Sequence, residues 1–202
     1  MRSLLGSTPL AEVKNNPGLL RFASAAGAAS FQTNCAPCHG RGAQGFVGYP
    51  NLNDDDWIWG GGIDDIHKTI QFGIRNGSDN ARAIAMPRFG LDKMLADAKI
   101  NDVAEYVLSL SGKAGDSAAA GRGAAVYKEQ CAVCHGDDGK GKLDQGAPNL
   151  TDGIWLYGSA KEQVVESIRT GRGGIMPGWG DRLDAATVKS LAVYVHSLGG
   201  GR

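Results

Sequence analysis

The sequence has little cysteine: four residues in 202, all inside two Cys-x-x-Cys-His motifs, which leaves none for a disulfide framework. It has no apolar stretch near the roughly 20 residues that a bilayer span requires. It has no excess of either charge. Lys+Arg 21 meets Asp+Glu 21, divided 10 against 11 over residues 1–112 and 11 against 10 over 113–202, so neither half has the basic surplus of a nucleic-acid binder. Nothing alternates over strand length. The opening MRSLLGSTPL lacks the apolar core of a signal peptide. Glycine, by contrast, is abundant at 31 residues, so the chain holds much loop that bends tightly or approaches something closely.

What is there is a repeat. Asn34-Cys35-Ala36-Pro37-Cys38-His39-Gly40 corresponds to Gln130-Cys131-Ala132-Val133-Cys134-His135-Gly136, an offset of 135 − 39 = 96. Pro50-Asn51-Leu52 recurs as Pro148-Asn149-Leu150, Trp57 as Trp155, and Gly-Ile-Arg-Asn-Gly (73–77) resembles Ser-Ile-Arg-Thr-Gly (167–171). Met86-Pro87 recurs as Met176-Pro177 with an offset of 176 − 86 = 90, and the Tyr-Val of 106–107 as that of 194–195. Six landmarks in one order define two copies of one domain of about 90 residues. The boundaries read as 18–112 and 118–202, with a Gly- and Ser-containing linker at 113–117.

Each copy predicts helix, long loop, short helix, loop, helix. First helices fall at 19–34 and 118–130, middle helices at 64–75 and 161–169, and last helices at 101–110 and 185–198. Ser159 with Glu162 has capping-box spacing for the second middle helix. Gly27 with Phe31, and Gly123 with Tyr127, are expected to let each first helix approach its own last helix, opposite Tyr106 and Tyr194 respectively. The fold class is all-α with long irregular loops.

Cys-x-x-Cys-His is the signature of c-type heme attachment. Two thiols bond two vinyl groups on one porphyrin edge, and the next residue sets an imidazole beneath the iron. A zinc site would bring two Cys-x-x-Cys pairs about 15–20 residues apart, and a redox dithiol belongs near a βαβ pattern. Here the pairs are 131 − 35 = 96 residues apart and the βαβ pattern is missing. The reading is two heme c groups, held through Cys35 and Cys38 and through Cys131 and Cys134, with His39 and His135 as proximal ligands. Met86 and Met176, each before proline and in register, are the candidate sixth ligands. Met94 has no counterpart and reads as packing, and His67 and His196 lie outside the shared pattern. Pro50, Leu52, Pro148 and Leu150 read as pocket walls. Trp57 and Trp155 read as heme packing or donors to a propionate, with plain core packing the alternative. Arg75 and Arg169 read as propionate partners or as solvent-facing residues. Asp54-Asp55-Asp56 reads as a solvated face or a docking patch.

NCAPCHG, GYPNLNDDDWIWGG and MPRFG, followed by CAVCHG, GAPNLTDGIWLYG and MPGW, resemble the soluble part of the di-heme c subunit (subunit III) of cbb-type heme–copper cytochrome c oxidases over residues 16–201. The resemblance implies an all-α fold of two tandem class-I cytochrome c domains with long irregular loops, and ligation of the two irons by the pairs His39/Met86 and His135/Met176. It implies electron relay from a donor cytochrome c or cytochrome bc complex to the mono-heme subunit and oxygen-reducing centre of a terminal oxidase in aerobic or microaerobic respiration. It further implies a site on the periplasmic side of the bacterial inner membrane, other oxidase subunits as partners, no nucleic acid, and membrane attachment only through an N-terminal anchor upstream of the given residues, Met1 being an introduced start. The alternatives are the cytochrome subunit of another membrane dehydrogenase, and a di-heme peroxidase or sulfur-oxidising dehydrogenase.

Overall fold

The computed structural model describes residues 1–199. Among them every regular element is helical, with isolated two-residue bridges in the loops. The order is α1 (Arg2–Ser7), a 3-10 turn (Leu10–Asn15), α2 (Pro17–Asn34), α3 (Ala36–His39), α4 (Ile63–Phe72), α5 (Asp97–Leu110), α6 (Ser117–Gln130), α7 (Ala132–His135), α8 (Lys161–Thr170) and α9 (Ala185–His196). Local chemistry starts these helices. Asn16 accepts from Leu19 N ahead of Pro17, and Asp116 and Asp184 each accept from two backbone N–H groups of α6 and α9. The cap of α8 lies one residue beyond the expected Ser159: Ala160 N donates to Gln163 Oε1 at 3.0 Å.

The chain divides into two compact units, and their composition departs from the expected boundaries 18–112 and 118–202. Unit 1 is Met1–Ala83 together with the segment from Gly174 onward; unit 2 is Ile84–Gly173. Each unit therefore joins the first half of one copy to the second half of the other. In unit 1, α2 buries Leu19, Ala23, Gly27 and Phe31, spaced four apart, against Val188, Leu191, Ala192 and Val195 of α9. In unit 2, α5 buries Ile100, Val103, Ala104 and Val107 against Ala119, Ala120, Gly123 and Tyr127 of α6. Each large apolar side chain so buried is worth about 1.5–3 kcal/mol.

The tyrosine partners are exchanged accordingly. Phe31 meets Tyr194 at 5.4 Å between ring centroids, and Tyr127 meets Tyr106 at 4.9 Å. The crossings depend on the two glycines: a Cβ on Gly27 would overlap Ser190 O and Tyr194 Cβ, and one on Gly123 would overlap Asp102 O. Because both copies carry the same apolar pattern, either pairing satisfies it. The link between α5 and α6, residues 111–116, is six residues long and favours an antiparallel hairpin of those two helices. That leaves α2 to α9.

Residues 1–17, outside the expected first domain, belong to unit 1. Leu5, Leu10 and Val13 are buried there, and Lys189 Nζ on α9 donates to Gly6 O at 2.8 Å and Thr8 O at 2.6 Å. Lys189 thus serves the carbonyls left open at the end of α1.

Unit 2 has one buried carboxylate, Glu105, which accepts from Lys161 Nζ at 2.7 Å, Gly115 N at 2.9 Å and Asp116 N at 3.1 Å. The Lys161 ammonium first, and the two backbone donors with it, hold its carboxyl below the usual range against the opposing effect of burial. A depressed folded-state value means stability that is present above the unfolded value of about 4.3 and is lost as pH falls through the folded one. Glu105→Ala strands three donors and is expected to cost unit 2 about 3 kcal/mol in denaturant titration at neutral pH, with the gap from the parent narrowing in acid.

Candidate heme sites

Each Cys-x-x-Cys-His motif closes one helical turn. Cys35 O accepts from Cys38 N at 3.1 Å and His39 N at 2.9 Å; Cys131 O accepts from Cys134 N at 3.1 Å and His135 N at 2.9 Å. The turn presents both thiols and the imidazole from one short stretch of backbone. It ends at Gly40 and Gly136, both at φ 80°. The following loop folds back onto it, with Gly45 N donating to His39 O at 2.8 Å and Gly141 N to His135 O at 2.7 Å.

The imidazoles are fixed by the loop as well. His39 Nδ1–H donates to Pro50 O at 3.1 Å and His135 Nδ1–H to Pro148 O at 3.0 Å. This leaves Nε2 of each ring free to ligate, as a hydrogen-bonded metal histidine does. Burial, partly offset by those proline carbonyls, pushes both histidines below their ordinary value, so the rings are neutral. Burial, then the neighbouring Cys38 or Cys134, pushes the Cys35 and Cys131 thiols up to about 11. A reactive dithiol needs its thiol lowered, the opposite of this direction. No group of three or more His, Cys, Asp or Glu able to hold a metal occurs among the described residues.

The methionines fall opposite to the pairs His39/Met86 and His135/Met176. Met176 packs against the same core of unit 1 as Cys35, Leu52 and Trp57, and Met86 packs against the core of unit 2, as Leu150 and Trp155 do. Met176 is pinned by two hydrogen bonds to Ile74, Ile74 N to Met176 O at 2.9 Å and Met176 N to Ile74 O at 3.0 Å. The exchange of second halves carries each methionine into the unit of the other copy's histidine. Met94 is 52% exposed, so it is not core packing.

Two glycines seat the methionine loops, and sequence reasoning passed over them. Gly73 and Gly171 end α4 and α8 at φ 75° and 61°, and a Cβ on either would press on the carbonyl of Met176 or Met86 respectively. They are equivalent at an offset of 171 − 73 = 98, the same as 148 − 50 and 155 − 57. Carrying that constant offset along the chain would have found them. It also corrects the match of 73–77 with 167–171, because Arg75 aligns with Gly173 and Arg169 with Gln71. The two arginines are not one repeated position. Arg75 Nε donates to Gly174 O at 2.9 Å beyond the end of α4, whereas Arg169 lies on α8 and pairs with Asp97 at 3.1 Å.

Trp57 and Trp155 each bury an indole Nε1–H that has no hydrogen-bond partner. An unpaired buried donor costs about 1–3 kcal/mol, and the same cost at matching positions of two copies marks a place for an acceptor that the polypeptide does not supply. Porphyrin carboxylates are such acceptors. Orphan indole, paired thiols, oriented imidazole and methionine in each unit together fit a c-type heme.

The family model described as cytochrome c oxidase, cbb3-type, subunit III matches residues 23–107 and 118–195. The chain is 52% identical over 202 residues to the cbb3-type cytochrome c oxidase subunit CcoP of Cereibacter sphaeroides, covering all of this chain and 70% of that protein. It is 52% identical over 199 residues to the FixP subunit of Azorhizobium caulinodans, covering 98% of this chain and 67% of that protein. It is also 52% identical over 201 residues to FixP of Bradyrhizobium diazoefficiens, covering 98% and 69%.

Proposed function

The chain belongs to the cbb3-type cytochrome c oxidase subunit III family, and from that membership we propose that it relays electrons from a donor cytochrome c or cytochrome bc complex to the other subunits of the oxidase. Two c-type hemes supply reversible one-electron iron chemistry when bound. Cys35 and Cys38 hold one, with His39 and Met176 as the ligand pair; Cys131 and Cys134 hold the other, with His135 and Met86. Histidine–methionine ligation would favour the ferrous state relative to harder ligands, and would leave the iron no free position for a substrate. The chain therefore transfers electrons by outer-sphere exchange and does not itself turn over a substrate.

Trp57 and Trp155 donate to porphyrin carboxylates, and Pro50 and Pro148 hold the imidazoles. Leu52 and Leu150 keep the pockets dry. Oxygen reduction falls to other subunits. The domain works on the periplasmic side of the membrane; no helix among the described residues is long and apolar enough to cross it.

The observation that carries this reading is the pair of unpartnered indole donors, one in each unit that also holds a Cys-x-x-Cys-His turn and a methionine. Its test is oxygen uptake by the assembled complex, fed by reduced donor cytochrome. His39→Ala or His135→Ala should stop donor-driven uptake while direct chemical reduction of the oxygen-reducing centre still supports it. Unchanged donor-driven uptake in both variants contradicts the relay. A second readout addresses the enzymatic alternatives: rapid, complete carbon monoxide binding to either ferrous heme of the parent chain would reveal an open iron and overturn the non-catalytic role.

A further inference from the structure

The two pockets differ in charge at their tryptophan walls. Trp59 and Tyr157, at matching positions, carry cations alike: Arg82 lies 5.2 Å from the Trp59 centroid and Arg172 5.3 Å from that of Tyr157. Trp155, the residue with the orphan N–H, also carries Lys113, whose Nζ lies 5.7 Å from its ring centroid. That is within the ~6 Å range of cation attraction to an indole face.

The lysine is delivered by the end of α5. Gly112, at φ 71°, ends the helix, and Lys113 N donates back to Leu108 O at 2.8 Å, so the side chain leaves from a fixed backbone point. With Leu110 matched to Leu198, the residue matching Lys113 is Gly201, which has no side chain to offer. The stretch before each tryptophan differs in the same sense. Asp54-Asp55-Asp56 precedes Trp57, and Asp152-Gly153-Ile154 precedes Trp155, two carboxylates fewer.

We propose that Lys113 and Trp155 together seat a carboxylate of the unit 2 porphyrin, and that Lys113 thereby raises the affinity of that iron for its electron. The inference rests on the reading of unit 2 as a heme site. The physical chain is short. A porphyrin carboxylate stabilises the more positive ferric iron; an ammonium beside it cancels that field and shifts the balance to ferrous. The indole N–H fixes the carboxylate and the lysine supplies the charge, so Lys113 acts as a positioning and tuning residue. Since Lys113 is exposed, salt screens it, and the balance at this iron depends on ionic strength.

The test is a redox titration of the mature two-heme chain, followed by absorbance. The unit 2 signal is identified as the one lost in His135→Ala. Lys113→Gln should lower the reduced-to-oxidised ratio of that signal about fivefold at a fixed applied potential. Lys113→Arg should keep most of the parent ratio, and the unit 1 signal should not move. Trp155→Phe should lower the same ratio, and adding Lys113→Gln to it should shift it less than in the parent. A Lys113→Gln ratio equal to the parent, or an equal change in both signals, overturns the proposal. A parent chain with one heme would instead overturn the reading beneath it, and a heme count on the parent separates the two failures.

Discussion

Met176→Ala is expected to strip the sulfur ligand from the heme attached at Cys35 and Cys38 and to leave the heme at Cys131 and Cys134 untouched. Met86→Ala should do the converse. Each methionine lies in the unit of the other copy's histidine, Met176 against the core that Cys35, Leu52 and Trp57 also pack on and Met86 against the core shared by Leu150 and Trp155. In each variant one heme should lose its sulfur-to-iron absorption, fall in potential and acquire carbon monoxide binding, since its sixth position is open. The altered heme is identified by making each substitution in chains that retain a single Cys-x-x-Cys-His motif. If Met176→Ala changes the heme at Cys131 and Cys134, pairing within each copy is restored.

The second large effect concerns the helix crossings. Gly27→Val should unfold unit 1 and Gly123→Val unit 2, each at a cost of at least about 3 kcal/mol. The penalty is steep because the new Cβ meets the backbone of the opposite helix, Ser190 O in one case and Asp102 O in the other, and backbone cannot swing aside. Gly121, also on α6, has open space where a methyl would go, with nothing within 4 Å, so Gly121→Ala should stabilise by about 0.5–1 kcal/mol through helix propensity alone. Denaturant titration followed at each heme band separates the units. Equal tolerance of Gly27→Val and Gly121→Ala would show that the α2–α9 contact is looser than described.

The contrast between these predictions and the sequence reading shows what a repeat encodes. The two Cys-x-x-Cys-His turns and the all-helical class were legible, because thioether spacing and helical periodicity are local. Pro50 and Pro148 were placed at the walls, although their contribution is a carbonyl that orients an imidazole, which a residue's identity does not announce. The pairing of halves was not legible. Leu19, Ala23 and Phe31 can meet the apolar face of either last helix, and only the six-residue link after α5 breaks the tie. The same ambiguity hid the methionine exchange and assigned Phe31 to Tyr106 when it packs on Tyr194. Matching Arg75 with Arg169 failed for a simpler reason: a short motif likeness outweighed the constant offset of 98 that runs from Pro50 to Gly73. Residues 1–17 carry no periodicity of their own, and their place depends on Lys189, far along the chain.

The central claim is that each iron takes its imidazole from one repeat and its thioether from the other. Proton NMR of the reduced chain, with isotope-labelled methionine methyls and with Cys131 and Cys134 replaced by serine, tests it most directly. The porphyrin ring current shifts the methyl of a bound methionine far upfield. With only the His39 heme present, the shifted methyl should belong to Met176. Assignment of that resonance to Met86 would contradict the account.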